Sequence, residues 1–365
     1  MPNKLTNYQC PNCNGPLKYD PKLQKLKCDQ CGSTFTIEQI TAQFAEQNAE
    51  AVSVDDAAAQ AGAAETLQWS AEEASHMRAY NCPSCGAQLI TDDTTAATAC
   101  PYCGNPTVIP SQFEGSYKPD WIIPFRKQKK DATDAIRQFY KGKPFLPKTF
   151  SEENHIEEIK GVYVPFWMYD GSAYANMQYH GTRMETYHQG DDIVTITSHY
   201  QVGRQGTINY QKVPADASSK MPNDLMDSIE PFDYNDIKPF SMSYLPGFLA
   251  NRYDETYQQN ENRADTRVKN TAIEKISETL IGYSSLIPQV QDVSIHPGLV
   301  HYAFLPVWLL STKYHGKVYL FAMNGQTGKM VSDNLPLDFG KMILTFLILT
   351  LIIAVIAWFL VGMLL

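Results

Sequence analysis

Three absences in the sequence limit what this chain can be. No charged residue lies between Met342 and Leu365, no cysteine lies beyond Cys103, and no apolar run precedes Cys10. The last absence predicts that there is no secretory signal peptide. The HExxH, GxSxG and dinucleotide motifs are also missing, and the segment from Gly325 to Met330 lacks the spacing and the Ser or Thr of a phosphate loop. We therefore expect a protein that is not an enzyme and has no catalytic residues.

Positive charge is also scarce. The 365 residues carry a formal net charge of −9, so no overall positive field attracts nucleic acid. Hydrophobic residues make up 44% and charged residues 19% of the chain, which indicates a sizeable core rather than disorder. At roughly 100–200 residues per domain, the length predicts two or three domains.

The uncharged C-terminal segment, residues 342–365, predicts one transmembrane helix. Its 24 residues would form a helix about 36 Å long, enough to cross a hydrocarbon core of about 30 Å. The alternative is a buried core helix, but the segment has no polar face. We expect a tail-anchored, single-pass protein of the cell membrane whose N-terminal bulk stays in the cytoplasm, with Lys329 and Lys341 on that side.

The cysteines form an internal repeat that predicts two metal sites. Both groups have the spacing C-x2-C-x14-C-x2-C, and each cysteine has a counterpart 72 positions later. Two thiolates on a CxxC turn bind one side of a tetrahedral Zn²⁺, and a hairpin returns the chain to the metal. In a reducing cytosol, such pairs favour metal ligands over disulfides, and a redox dithiol does not need four cysteines twice. The predicted ligands of two structural zinc sites are Cys10, Cys13, Cys28, Cys31, Cys82, Cys85, Cys100 and Cys103.

These two units resemble zinc ribbons such as those of transcription factor IIB, and we place them at residues 1–37 and 80–111. The first holds five lysines and two aspartates, and the second holds two aspartates and no basic residue. Each four-thiolate zinc centre adds −2, so the second ribbon is unsuited to phosphate backbones. Each ribbon closes on its own zinc and is expected to fold independently.

The remainder of the chain is an acidic spacer and a large domain. Residues 38–79 hold 13 alanines, eight acidic residues and one basic residue, which is typical of a flexible or partly helical linker. Residues 116–335 hold 17 of the 21 tyrosines, which favours β structure. The predicted strands are residues 162–168, 173–179, 193–200, 207–212, 300–312 and 318–323, with hairpin turns at 203–206 and 324–328.

Two amphipathic helices interrupt these strands. The first begins near Asp131 and ends at Gly142, and the second carries Val268 and Ala272 and ends at Gly282. An apolar-apolar-Pro-apolar pattern recurs at residues 122–125, 163–166 and 304–307, which indicates a duplicated α+β unit. The fold class is thus multidomain: two small β zinc ribbons, a β-rich α+β domain and one C-terminal transmembrane helix. His180, His188 and His199 fall in one strand region, where we expect surface histidines rather than a further metal site.

The order of these parts resembles bacterial membrane-anchored zinc-ribbon proteins, a family often labelled as related to the primosomal helicase. The resemblance rests on the two cysteine quartets, the Pro-Phe-Trp and Asn-Gly-Gln-Thr-Gly-Lys stretches, and the terminal span. It implies an adaptor that recruits protein partners, flotillin-like (SPFH) or phage-shock-type, to the inner face of the lipid bilayer. The alternative is a membrane-tethered nucleic-acid or transcription factor that uses the first ribbon, with Lys18, Lys22, Lys25 and Lys27. The negative charge makes nucleic acid the less expected partner.

Overall fold

A computed structural model describes residues 8–49, four short strands between residues 80 and 108, and residues 117–364 apart from 149, 151–158, 316 and 333–334. The chain is multidomain and β-rich. Its strands are β1 (Leu17–Asp20), β2 (Lys25–Cys28), β3 (Thr34–Phe35), β4 (Tyr80–Asn81), β5 (Gln88–Leu89), β6 (Thr95–Ala99), β7 (Pro106–Val108), β8 (Trp121–Ile122), β9 (Lys160–Gln189), β10 (Asp192–Asp216), β11 (Lys238–Pro239), β12 (Leu249–Asn251), β13 (Ser285–Tyr314), β14 (Lys317–Asn324) and β15 (Met330–Ser332). Its helices are α1 (Ile37–Ala49), α2 (Lys129–Lys141), α3 (Asn223–Ser228), α4 (Tyr257–Ser277) and α5 (Phe339–Leu364).

Residues 8–37, which we call the cysteine module, form a three-stranded antiparallel sheet of β1, β2 and β3. Leu17, Tyr19 and Leu26 point inward and are buried, while their sequence neighbours are more exposed. This alternation follows from the two-residue period of a strand. Helix α1 follows the module directly, so the first residues of the predicted spacer are helical, as one of the two expected forms.

The large domain is built on one ten-stranded sheet, and three of its strands are unusually long. Strands β9 and β13 each have 30 residues, and β10 pairs with β9 from Asp192 to Asp216. The strands predicted at 162–168 and 173–179 are therefore parts of one continuous strand. The predicted hairpin turn at residues 203–206 is wrong, because those residues lie inside β10. The hairpin turns instead at Gly190, which has a φ of 66°.

The domain contains two units of the same connectivity: a short strand, a helix and a hairpin. The first is β8, α2, β9 and β10, and the second is β12, α4, β13 and β14. Each short strand runs parallel to the long strand of the other unit: Ile122 pairs with Phe304, and Ala250 pairs with Tyr163. Tyr163 and Phe304 are the first residues of the apolar-apolar-Pro-apolar patterns at 163–166 and 304–307. The structure therefore supports the duplication that the sequence indicated.

Equivalent hydrogen bonds reinforce the match between the units. Trp167 donates its indole N–H to the Glu255 carbonyl at 2.8 Å, and Trp308 donates to the Lys127 carbonyl at 3.0 Å. Both carbonyls belong to the residue before a capping box, at the start of α4 and α2 respectively. Trp167 is 0% exposed and Trp308 is 7% exposed. Each buried tryptophan thus links the N-terminus of one helix to the central strands of the sheet by a hydrogen bond.

The two long helices lie near the predicted positions. Helix α2 begins two residues before Asp131, and Gly142 follows its last residue. Helix α4 buries Val268 and Ala272 against β9, β10 and β13, but it begins 11 residues before Val268. The turn at residues 324–328 is confirmed, since the N–H of Gly328 donates to the Asn324 carbonyl at 2.9 Å.

Candidate metal centre and apolar helix

The first cysteine quartet is held by two turns of similar geometry. In the first, the N–H of Cys10 donates to the Gly15 carbonyl at 2.7 Å, and in the second, the N–H of Cys28 donates to the Ser33 carbonyl at 2.9 Å. The residue after each CxxC pair has a positive φ: 55° at Asn14 and 74° at Gly32. Glycine and asparagine adopt this backbone conformation most readily. Asparagine thus reverses the chain in the first turn, and glycine does so in the second.

The four sulfur atoms lie within 4.8 Å of one another, close enough to hold a metal ion. The Sγ atoms of Cys10 and Cys31 are 3.5 Å apart, as are those of Cys13 and Cys28. A disulfide would need about 2.05 Å, and all four cysteines are free. Sulfurs bound at about 2.3 Å to a tetrahedral ion would lie about 3.8 Å apart. The observed cluster therefore fits a tetrahedral, thiolate-bound ion.

One ligand of this cluster is favoured as a thiolate by its neighbour. The Ser33 hydroxyl lies 3.2 Å from the Cys31 sulfur. That side chain, and then the backbone of Ser33, lower the pKa of the Cys31 thiol to about 6. The thiolate is the form that binds metals. Ser33 was not singled out from the sequence.

The cysteine module packs directly on the large domain. The Tyr19 N–H donates to the Pro246 carbonyl at 3.0 Å, and the Gln24 amide donates to the Phe125 carbonyl at 2.7 Å. The ring of Tyr19 meets that of Tyr244 edge-on, with 5.6 Å between centroids. Module and domain thus share one hydrophobic core. The independent folding of the first ribbon stays a prediction, and the shared core instead favours coupling between the module and the domain.

Helix α1 adds a further contact on the same side. Ile40 is fully buried, and the Thr41 hydroxyl lies 3.0 Å from the Ser243 hydroxyl. The segment after the cysteine module is therefore fixed to the large domain for its first residues. This contact was not foreseen, because an alanine-rich sequence does not indicate which face of a helix is covered.

The second predicted quartet, Cys82, Cys85, Cys100 and Cys103, lies outside the described residues. The strands around it are described. Strand β4 pairs with β5 across the first CxxC pair, and β6 pairs with β7 across the second. Strand β6 also pairs with β12 of the large sheet. The segment assigned to the second ribbon thus contributes edge strands to the large domain.

Helix α5 is long and apolar enough to span a membrane. Residues 339–358 are long and apolar enough for a span, and none of them is buried. Asp338 caps the helix, with its carboxylate accepting the Lys341 N–H at 3.0 Å. The described side chains beyond Lys341 are exposed, including Phe346, Leu351 and Trp358. The predicted C-terminal helix is thus present, and its described side chains are exposed rather than buried in a core.

We expect removal of α5 to release the protein from membranes. A chain ended after Lys341 should move from the membrane pellet to the soluble fraction, because no other described helix is long and apolar enough to span a bilayer. The far-ultraviolet circular dichroism of the released protein should retain its β signal. As a matched pair, Leu349→Arg should reduce insertion, since arginine at a span centre costs about 2.5–3.5 kcal/mol, and Leu349→Ile should not. A truncated chain that stays in the pellet through alkaline carbonate extraction would contradict this.

The hairpin formed by β9 and β10 extends past the N-terminal end of β13. The first residue of β13, Ser285, pairs with Thr182 of β9, so residues 183–198 form a two-stranded hairpin that we call the hairpin tip. Its exposed apolar side chains are Met184, Tyr187, Ile193 and Ile196. The strand register places Met184 and Ile193 on one face of the hairpin and Tyr187 and Ile196 on the other. Each face thus exposes two large apolar side chains, a feature of interaction surfaces. The uncharged run from Ile193 to Tyr200 was the sequence signal for this surface.

The histidines of this region behave mostly as expected. The Nε2 of His180 lies 3.0 Å from the Nδ1 of His199, so these two meet. His188 pairs with Ile193 nearer the turn and is not part of this pair. Among the described residues, the four-cysteine cluster is the one group of three or more metal-binding side chains.

A comparison with known proteins places the chain in a family. It is 34% identical over 339 residues to YdjG, an uncharacterized protein of Bacillus subtilis strain 168, and the match covers 92% of each chain. The chain belongs to the same family as YdjG. No family model matches the chain, and no solved structure matches it. A match of this extent cannot be confined to the cysteine segments, so it includes most of the large domain.

Proposed function

We propose that the chain is a membrane-anchored, zinc-stabilised adaptor on the cytosolic face of the membrane that recruits protein partners through its large domain. The observation that carries the proposal is the position of two apolar surfaces. Helix α5 begins beside Tyr314, where β13 ends, and the hairpin tip lies beyond Ser285, where β13 begins. At ~3.3 Å per residue, the strand between them is roughly 95 Å long. An anchor and a projecting apolar tip at opposite ends suit a protein that holds another at a distance from the bilayer.

Zinc is the ion that best suits the cysteine quartet. Four thiolates at tetrahedral spacing favour Zn²⁺ among the ions common in a cell, and four protein ligands leave no position for a reacting water. The role supported by this ligand set is structural: the ion holds the cysteine module against the large domain. The same assignment is proposed for Cys82, Cys85, Cys100 and Cys103 from their identical spacing.

The hairpin tip and the adjoining edge of β10 are suited to protein contacts by their backbone as well as their side chains. Within the described residues, β10 pairs only with β9, so its outer edge offers free N–H and C=O groups. Natural edge strands are usually guarded by charges, prolines or bulges. Between Ile193 and Tyr210, β10 has one charged residue, Arg204, and no proline or register shift. Because this edge has so few features that prevent strand pairing, it supports pairing with a strand of a partner protein. The family resemblance suggests flotillin-like or phage-shock-type proteins as that partner.

We expect charge on the hairpin tip to abolish recruitment. In Ile193→Asp with Ile196→Asp, at least tenfold less partner should co-purify with full-length protein from detergent-solubilised membranes, because burying one such side chain contributes about 1.5–3 kcal/mol. The matched control is Leu299→Asp, another exposed aliphatic residue on a long strand, away from the tip. Quantitative mass spectrometry of the purified material measures the ratio. Equal recovery of the same partner with both variants would refute the tip as the contact.

A cleft of about 650 Å³ supports the alternative of a nucleic-acid-binding factor. It lies between the cysteine module and the large domain, and its lining includes Lys18, Lys27, Lys129 and Lys160. Asp20 and Asp29 line it as well, and Asp29 lies 2.6 Å from Lys18. These carboxylates offset half of the cleft's positive charge, so we prefer the adaptor. Nucleic acid in the same purification, lost with increasing salt, would favour the alternative.

A further inference from the structure

A second cleft lies where α5 leaves the large domain. Its volume is about 700 Å³, and it is open on one side and lined by the loop after α2, the end of the β13–β14 hairpin and the first turn of α5. The Asp338 N–H donates to the Phe145 carbonyl at 2.8 Å, and the Lys341 ammonium lies 3.4 Å from the Leu146 carbonyl. These contacts fix the start of α5 to the loop. The cleft is therefore a feature of the folded domain.

The position of the cleft determines what surrounds it in a membrane. The apolar part of α5 begins at Met342, one residue after Lys341. The headgroup layer extends roughly 5–8 Å beyond each face of the hydrocarbon core, and one helical turn advances about 5.4 Å. The first turn of α5 is then at the depth of lipid phosphates. This step rests on the membrane anchorage proposed above.

The lining of the cleft combines two lysines with aromatic rings. Lys148 and Lys341 line it together with Tyr314, Tyr319 and Phe339. Among the described lining residues, Asp338 is the carboxylate, and it lies 3.2 Å from the Lys341 ammonium, which offsets its charge. Tyrosine beside lysine is typical of membrane interfaces, where the ring lies at headgroup level and the ammonium meets phosphate.

The two segments that reach the cleft at Lys148 and at Tyr314 are locally basic in an acidic protein. Residues 135–148 and 311–323 contain no aspartate or glutamate, although acidic residues flank the first range at 134 and from 152, and the whole chain has a net charge of −9. A basic surface next to a membrane helix is attracted to the anionic cytoplasmic leaflet by about 1 kcal/mol per residue, or roughly fivefold in affinity. The basic residues of these segments are Arg137, Lys141, Lys143, Lys148, Lys313 and Lys317.

We propose that the cleft at the start of α5 binds the headgroup phosphate of an anionic glycerophospholipid. Lys148 and Lys341 contact the phosphate, and Tyr314 and Tyr319 lie beside the glycerol and the upper acyl chains. The bound lipid would fill the angle between α5 and the domain, and so set the direction in which the large domain leaves the membrane.

The test uses full-length protein in nanodiscs of equal phosphatidylcholine and phosphatidylglycerol. After extraction into mild detergent, native mass spectrometry counts the lipids that stay bound. The wild-type protein should retain phosphatidylglycerol preferentially. Lys148→Gln should reduce this preference about fivefold, and Lys148→Glu roughly 25-fold. Lys275→Gln removes an exposed lysine on α4 and should match the wild type.

Four results would overturn the proposal. Entry into the discs without enrichment of phosphatidylglycerol, or with enrichment unaffected by both Lys148 variants, would refute the cleft alone. Displacement of the lipid by millimolar glycerol 3-phosphate would assign the cleft to a soluble phosphate compound. Failure of the chain to enter the discs would refute the membrane anchorage, and the lipid site with it.

Discussion

Loss of the first metal site should destabilise the large domain as well as the cysteine module. We expect Cys13→Ser with Cys31→Ser, the two exposed ligands, to remove one metal equivalent and unfold residues 8–37, because a structural four-cysteine site contributes its binding free energy to folding. Tyr244 and Phe248 would then lose Tyr19 as a neighbour. At about 1.5–3 kcal/mol per ring, the domain would lose roughly 3–6 kcal/mol, and its Tm would fall by roughly 10 °C.

Metal content and hydrogen exchange together measure this effect. Amides near Pro246 and Phe125, which accept hydrogen bonds from the module, should exchange faster in the double variant. Asn12→Ser is the matched control, since it changes the same turn without removing a ligand. Loss of metal with no change in exchange or Tm outside residues 8–37 would show that the module is only tethered to the domain.

The two equivalent tryptophans should both be essential for stability but differ in their coupling to the metal site. Trp167→Ala and Trp308→Ala should each cost about 3–5 kcal/mol, because each removes a large buried side chain. The ring of Trp308 lies 6.0 Å from that of Phe248, which in turn contacts Tyr19 of the cysteine module. The Trp167 ring instead packs among Tyr253, Tyr257 and Tyr302 of the domain.

A double-mutant cycle with the cysteine variant separates the two cases. The costs of Trp308→Ala and of losing the first metal site should be less than additive, by about 1 kcal/mol or more, since both disturb Phe248. The costs of Trp167→Ala and metal loss should add within about 0.5 kcal/mol. Urea unfolding of the full chain in detergent, followed by circular dichroism, gives the four values. Equal coupling for both tryptophans would contradict the path from Tyr19 through Phe248 to Trp308.

The metal-binding cysteines of the candidate site could be predicted from the sequence, but the residues that pack around the site could not. The spacing of Cys10, Cys13, Cys28 and Cys31 was sufficient to predict a shared cluster, because ligand geometry restricts the chain between the pairs. The contact of Tyr19 with Tyr244 was not predictable, since the two residues are far apart in sequence and a buried tyrosine does not reveal its partner. Only the three-dimensional structure shows that the large domain covers the inner face of the cysteine module.

The long strands of the large domain were also predictable only in part. Apolar and tyrosine-rich segments indicated strands correctly, but Gly203 and Gly206 suggested a turn that is absent. Both glycines lie in regular strand, and neither is required there for lack of room: an added Cβ at Gly203 would meet nothing within 4 Å, and at Gly206 it would lie 3.7 Å from Ile276. The apolar-proline pattern was informative for a different reason. It marks the places where each short strand meets a long one, and those places recur because the unit recurs.

The crossed pairing of the short strands has a consequence for the history of the large domain. Neither half can complete its sheet alone, because β8 is bound to the second hairpin and β12 to the first. A single copy of such a unit would satisfy these edges only by exchanging its first strand with another copy. The connectivity is that of a domain-swapped homodimer joined into one polypeptide. The segment from β10 to β12, which contains α3, is the connection between the two units.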